Sequence, residues 1–132
     1  MTLTQKNYII SIMDISTIDI LFGDDIMAKE QLKTLTEPMY YILLTLSEPQ
    51  HGYGIMQEVE RRTEGRVKIG AGTLYNLLSR FEDENIIVQI SEENRRKTYT
   101  LTDKGLNILM DEYQRLKQLV SDGSNFLEGR AR

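Results

Sequence analysis

Apolar residues recur along this chain with two different periods, and the period changes near residue 86. From Thr36 onward, Met39, Ile42, Leu43 and Leu46 fall on one face of a helix. Thr36-Glu37-Pro38 supplies a capping hydroxyl, an acid for the positive end and a first-turn proline. Ser47-Glu48-Pro49-Gln50 stops that helix. A second helix follows His51-Gly52-Tyr53-Gly54, with Ile55, Met56 and Val59 inward and Gly65 as its left-handed terminator. A third is expected from about Gly72 to Glu84, with Leu74, Leu77, Leu78 and Phe81 packed on the first two. Asn85 then ends it.

After Asn85 the spacing becomes two. Ile86, Val88 and Ile90 are expected on one side of a strand, and Tyr99 and Leu101 on one side of its partner. Ser91 to Arg96 form the loop of this hairpin, with Asn94 as the turn residue. Thr102 caps a last helix, in which Leu106, Leu109, Met110, Tyr113, Leu116 or Lys117, and Val120 follow a near-heptad spacing. Gly123 is expected to close it and Ser124 to Arg132 to fray. Three helices and a hairpin cannot cover a stripe of that length. It is therefore expected to pair with the same helix of a second chain, with Leu32 and Leu35 adding to the contact.

The fold class is thus mainly α with a small β-hairpin: a winged helix-turn-helix over residues 29–102, a dimerisation helix over 103–122 and a tail over 123–132. Residues 1–28 stand apart. They are rich in isoleucine without a clean period, and Met27-Ala28-Lys29-Glu30 reads as an ordinary protein start. They are expected to be an extension outside the natural domain; the alternative is a genuine N-terminal arm.

Composition narrows the chemistry. The chain has 132 residues, no cysteine and one histidine, which leaves neither thiolate metal sites nor a histidine-based catalytic constellation. No nucleophile–base pairing and no phosphate-loop motif is present, so no enzyme, no cofactor and no metal is expected. Apolar runs are too short to span a membrane, and no secretory leader is recognisable, which fits a cytoplasmic protein. Net charge is −4, but residues 1–27 hold four acids and one base, leaving −1 for the remainder. Within that remainder, Arg61, Arg62, Arg66 and Lys68 cluster, as do Arg95, Arg96 and Lys97.

The polar face of the third helix holds Tyr75, Asn76, Ser79 and Arg80. Asn76 has the chemistry to pair with adenine and Arg80 with guanine or phosphate, while Thr73 and Tyr75 can donate to phosphate oxygens. Lys68 lies close to that helix's start. Each position taken singly is an ordinary solvent-facing one; a cationic hairpin tip a few residues later makes the set a DNA-reading surface. Glu82, Asp83, Glu84, Glu92 and Glu93 are expected to face away from DNA. Tyr99 is expected in the core of the wing, and His51 as a turn or capping residue.

Leu43-Leu44-x-Leu46 with His51-Gly52-Tyr53-Gly54-Ile55, then Gly72-Thr73-Leu74-Tyr75-x-Leu77-Leu78-x-Arg80-Phe81-Glu82, then Arg95-Arg96-Lys97-x-Tyr99-x-Leu101-Thr102-x-x-Gly105 resemble, in order and spacing, the PadR family of bacterial transcriptional regulators. The resemblance covers residues 29 to about 122. It implies a homodimer on a palindromic operator, usually as a repressor. By position it implies DNA contacts from Thr73, Tyr75, Asn76, Arg80, Arg95, Arg96 and Lys97, with Tyr53 touching a phosphate. The single C-terminal helix resembles the short subfamily, some of whose members bind flat drugs between subunits on a tryptophan. This chain has no tryptophan, and Asn85 stands where the family usually has glycine. An effector site is expected near Met39, Met110 and Tyr113, between the last helices and the first. The rival readings are a winged helix used for protein contacts and a small-molecule binding protein with little DNA role.

Overall fold

Thr36 opens the first helix: its Oγ1 accepts from the Met39 amide at 3.4 Å, and Pro38 occupies the first turn, where no amide partner is needed. The structure, a computed structural model, describes residues 34–131, of which residues from Leu35 onward belong to one unit. In chain order they form α1 (Glu37–Thr45), β1 (Gln50–His51), α2 (Gly52–Arg62), α3 (Ala71–Asp83), β2 (Ile87–Glu93), β3 (Arg96–Leu101), α4 (Asp103–Leu127) and a 3-10 turn (Glu128–Ala131). Leu32 and the expected extension lie outside the described residues.

The three short helices enclose the core. Ile42, Leu43, Leu46, Ile55, Leu74, Leu78 and Phe81 are almost fully buried, as their helical spacing predicts. His51 caps α2, its Nδ1 accepting from the Gly54 amide at 3.1 Å. The exit from α2 needs two left-handed residues, Glu64 and Gly65, and the Gly65 amide reaches back to the Glu60 carbonyl at 2.8 Å. Thr63 Oγ1 donates to Val59 O and accepts from Val67 N, folding the next segment onto the core. Val67 and Ile69 are buried there, although they precede any regular element.

Asn85, at φ 60°, terminates α3, and the Ile86 amide bonds the Phe81 carbonyl at 2.8 Å. The sheet that follows has the order β1-β3-β2, antiparallel throughout. Its alternation differs from the expected one. Ile86 and Ile87 are both buried, whereas Val88 and Ile90 are exposed. Thr102 holds the Ile86 carbonyl through its amide at 3.0 Å, so Ile86 stays in the helix–strand corner and the strand begins at Ile87. The inner phase is therefore Ile87 and Gln89, opposite Leu101 and Tyr99. A register shift between Gln89 and Ser91 leaves Ile90 as the extra residue. The loop is also tighter than Ser91 to Arg96: Glu93 pairs with Arg96, and only Asn94 and Arg95 turn the chain.

α4 also departs from expectation. Gly123 does not end it; the helix continues to Leu127 before its 3-10 turn. A helical glycine costs only about 1 kcal/mol, and Gln118 bonds Asp122 across the preceding turn at 2.9 Å. At 25 residues the helix is roughly 37 Å long. Its start sits tightly on the wing, because a Cβ at Gly105 would collide with the Ile86 carbonyl. Leu109 and Glu112 continue the buried side, one and two turns further on. Glu112 Oε2 accepts the Leu35 amide at 2.6 Å, and Oε1 pairs with the Arg115 guanidinium. Burial raises the Glu112 carboxyl, but the Arg115 bond, the Leu35 amide and the Arg115 charge outweigh it, holding the group below its ordinary value.

Leu35 and Leu109, expected at a dimer contact, are buried in the core of this chain. Met39, expected beside an effector, is also interior, since it lies on the buried stripe of α1. Leu106, Met110, Tyr113, Leu119, Val120, Phe126 and Leu127 remain exposed, and Leu116 is half-buried.

Candidate nucleic-acid interface

α3 has two chemically distinct sides. Leu74, Leu78 and Phe81 point into the core, while Thr73, Tyr75, Asn76 and Ser79 are exposed. Phe81 and Leu74 are fully covered, so the helix cannot roll without opening the core, and its polar side is fixed toward water. Gly70 caps α3 without a side-chain hydrogen bond, which leaves the first-turn amides available to an anion.

Tyr53 is exposed in the first turn of α2. Tyr75 reaches the same place: a Cβ at Gly52 would lie 2.9 Å from both its Cε1 and its hydroxyl oxygen. Only a glycine lets the Tyr75 ring lie this close to α2. The two tyrosines are each 54 % exposed, so the contact with Gly52 leaves about half of Tyr75 open to solvent.

Two of the expected cations have partners. Arg80 is half-buried, with its Nε 3.6 Å from Glu84 Oε1. Lys68 Nζ stands 3.7 Å from Glu60 Oε1, with both side chains largely exposed. An exposed pair of this kind contributes roughly 0–1 kcal/mol, so Lys68 can exchange its carboxylate for a phosphate at small cost. Arg61 and Arg62 both bond Glu58, whose carboxyl is held below its ordinary value by those bonds. Arg66 donates to the Tyr41 hydroxyl at 2.8 Å.

The wing tip holds Arg95, Arg96 and Lys97, all exposed, and no ion pair within 4.0 Å engages them among the described residues. Two of the acids expected to face away from DNA lie beside these cations in the sheet. Glu93 is the cross-strand partner of Arg96, and Glu92 of Lys97. Tyr99 is buried beneath the wing, and burial together with the neighbouring Glu82 carboxylate pushes its hydroxyl up. It is a core residue, not a stacking surface.

The expected effector residues differ in exposure. Met39 is buried, whereas Met110 and Tyr113 are about half exposed on the open side of α4. A cleft of about 520 Å³ does exist, but between α1 and α2, over Tyr41, Leu44, Val59, Arg62 and Arg66. Sequence reasoning missed that cleft and the buried Glu112. Among the described residues, no helix is long and apolar enough to cross a membrane.

A helical core, a third helix held with its polar side outward and a cationic two-stranded wing define a winged-helix protein of the kind that regulates transcription. The comparisons agree. Residues 42–111 match the transcriptional regulator PadR-like family, and the chain belongs to that family. It is 31 % identical over 93 residues to an uncharacterized protein X of Lysinibacillus sphaericus, covering 65 % of this chain and 83 % of that protein. It is similar to a PadR-like transcription factor of Bacteroides fragilis (TM-score 0.58, 26 % identity), covering 77 % of this chain and 98 % of the other. A transcriptional regulator of Clostridium thermocellum shares the fold (TM-score 0.59, 24 % identity, 67 % and 91 % covered). The protein is therefore a transcriptional regulator and not an enzyme.

Proposed function

We propose that this protein is a homodimeric repressor that binds a palindromic operator through α3 and the wing. The two-sided α3 carries this reading: Leu74, Leu78 and Phe81 anchor it, so Asn76 and Ser79 are offered to base edges and Thr73 and Tyr75 to phosphates. Tyr53, Lys68 and Arg80 flank that surface, and Arg95, Arg96 and Lys97 extend it along the backbone.

The open side of α4 supports the dimer. Leu106, Met110, Tyr113, Lys117, Val120, Ser124 and Leu127 follow one another at alternating steps of four and three, the spacing of a helix-pairing seam. Pairing two such helices would set two copies of α3 about one DNA turn apart, in successive major grooves. A small aromatic or apolar effector would act on the same side, at Met110 and Tyr113, by favouring a spacing of the two reading helices that does not fit DNA. The Lys117 ammonium, 5.3 Å from the Tyr113 ring centroid, gives that side one cation–π contact already.

Footprinting the protein on the DNA upstream of its own gene tests the reading. A symmetric protected region is expected. Asn76→Ala should blur the preference for that region over unrelated DNA by roughly tenfold while leaving the salt dependence of binding unchanged. Absence of any protection at low salt would overturn the assignment.

A further inference from the structure

Asn94 and Arg95 form the whole turn of the wing, at φ 52° and 65°. Two consecutive left-handed residues joining paired strands make a type I′ turn, whose second position favours glycine because a side chain there is strained. Here that position is held by arginine. The strand register places a carboxylate across from each of the other two wing cations: Glu93 from Arg96, and Glu92 from Lys97. Cross-strand partners share a face, so each face of the wing tip carries one positive and one negative charge. Arg95, beside neutral Asn94, has no acid across from it.

We infer that the wing tip is a partly self-neutralised clamp, in which Arg95, the cation with no acid across from it, supplies the largest share of the DNA-attracting charge and Glu92 and Glu93 weaken the pull of Arg96 and Lys97. This inference rests on the DNA-binding reading above and assigns roles within it. The two acids lower the affinity for any phosphate backbone. They thereby hold down occupancy of unrelated sites, which are in vast excess. The strained turn projects Arg95 beyond the paired region, where a narrow groove or a phosphate pair can meet it first.

Two sets of variants test this by DNA titration across a range of salt, using the full chain, its operator and an unrelated duplex. Glu92→Gln with Glu93→Gln should tighten binding to both duplexes, by roughly threefold per removed acid at low salt. The tightening should be of similar size on both duplexes, because a phosphate contact carries no sequence information. Arg95→Gly should weaken binding about tenfold. The same change should raise the melting temperature, because it creates the favoured Asn-Gly turn. Arg96→Ala should cost less affinity than Arg95→Gly, but should cost as much once Glu93 is Gln. Opposite movement of affinity and stability is a result that a merely structural arginine cannot give. Operator binding that is intact yet indifferent to the acid substitutions, or equally sensitive to Arg95 and Arg96, overturns the inference and leaves the function standing. Failure of the unsubstituted chain to bind any DNA overturns the function itself, and the melting data on Arg95→Gly still report on the turn.

Discussion

Replacing Glu112 by glutamine removes one charge from the inside of the protein and almost no volume. Glu112 is only 1 % exposed, and its two oxygens are committed to the Leu35 amide and the Arg115 guanidinium. Glutamine keeps an acceptor for Leu35 but converts a charge-assisted hydrogen bond into a neutral one, a loss of about 1 kcal/mol. The Arg115 bond weakens too, though its side chain is 40 % exposed and finds water, so that share is discounted. The total is about 1–2 kcal/mol at pH 7, a fall in Tm of very roughly 5–15 °C for a domain of this size. The acid dependence has a definite sign. The folded-state carboxyl lies below its ordinary value near 4.5, so its stabilisation is fully present above that value and is lost as pH falls through the lower, folded one. The Tm gap between wild type and Glu112→Gln should therefore be full at pH 6.5 and close progressively below about pH 4.5, because a protonated glutamate and a glutamine are alike. Thermal denaturation at matched protein concentration reads both. A gap that is absent at pH 7, or unchanged down to pH 3, would refute the reasoning.

Two further outcomes follow from the packing of α4. Gly105→Ala places a methyl group against the Ile86 carbonyl, a backbone atom that also receives the Thr102 amide. It should cost about 2–4 kcal/mol by chemical denaturation, whereas Gly123→Ala, with nothing within 4 Å of the added Cβ, should stabilise by up to about 1 kcal/mol. Val120→Asp puts a carboxylate in the proposed seam at a position 69 % exposed in the protomer. It should shift sedimentation from dimer to monomer with unchanged helical circular dichroism, and an unaltered dimer would place the contact elsewhere.

The helices were legible because each repeats its message. In α3, Leu74, Leu78 and Phe81 agree on one inner side, which also fixes where Tyr75 and Asn76 must point. The strand phase has no such redundancy. Ile86-Ile87-Val88-Gln89-Ile90 fits either alternation, and the choice between them is made by Thr102 gripping the Ile86 carbonyl from 16 residues away. One shifted residue then exposes both Val88 and Ile90. The wing turn shows the same dependence on pairing: Asn94 was recognisable as a turn residue, but the opposition of Glu93 to Arg96 exists only once the loop is known to be two residues long.

α4 shows why its buried side was hard to read from the sequence. Its sequence holds two interleaved series of nearly the same period, offset by one residue. Gly105, Leu109, Glu112 and Leu116 run against the protomer's own domain, while Leu106, Met110, Tyr113, Lys117 and Val120 run beside them in the open. A period alone cannot separate two such series, so Leu109 was grouped with the exposed set. An acid in the buried set hides that set further, because Glu112 is held inside by Arg115 and by a backbone amide 77 residues earlier in the chain. The consequence is physical as well as interpretive. One helix touches the core through Glu112 and Leu109 on one line and offers Met110 and Tyr113 on the next, so any ligand or partner that rotates α4 about its axis must also load the Leu35–Glu112 bond. That bond anchors the lead into α1, which packs on both α2 and α3. Packing is thus continuous from α4 through α1 to α3.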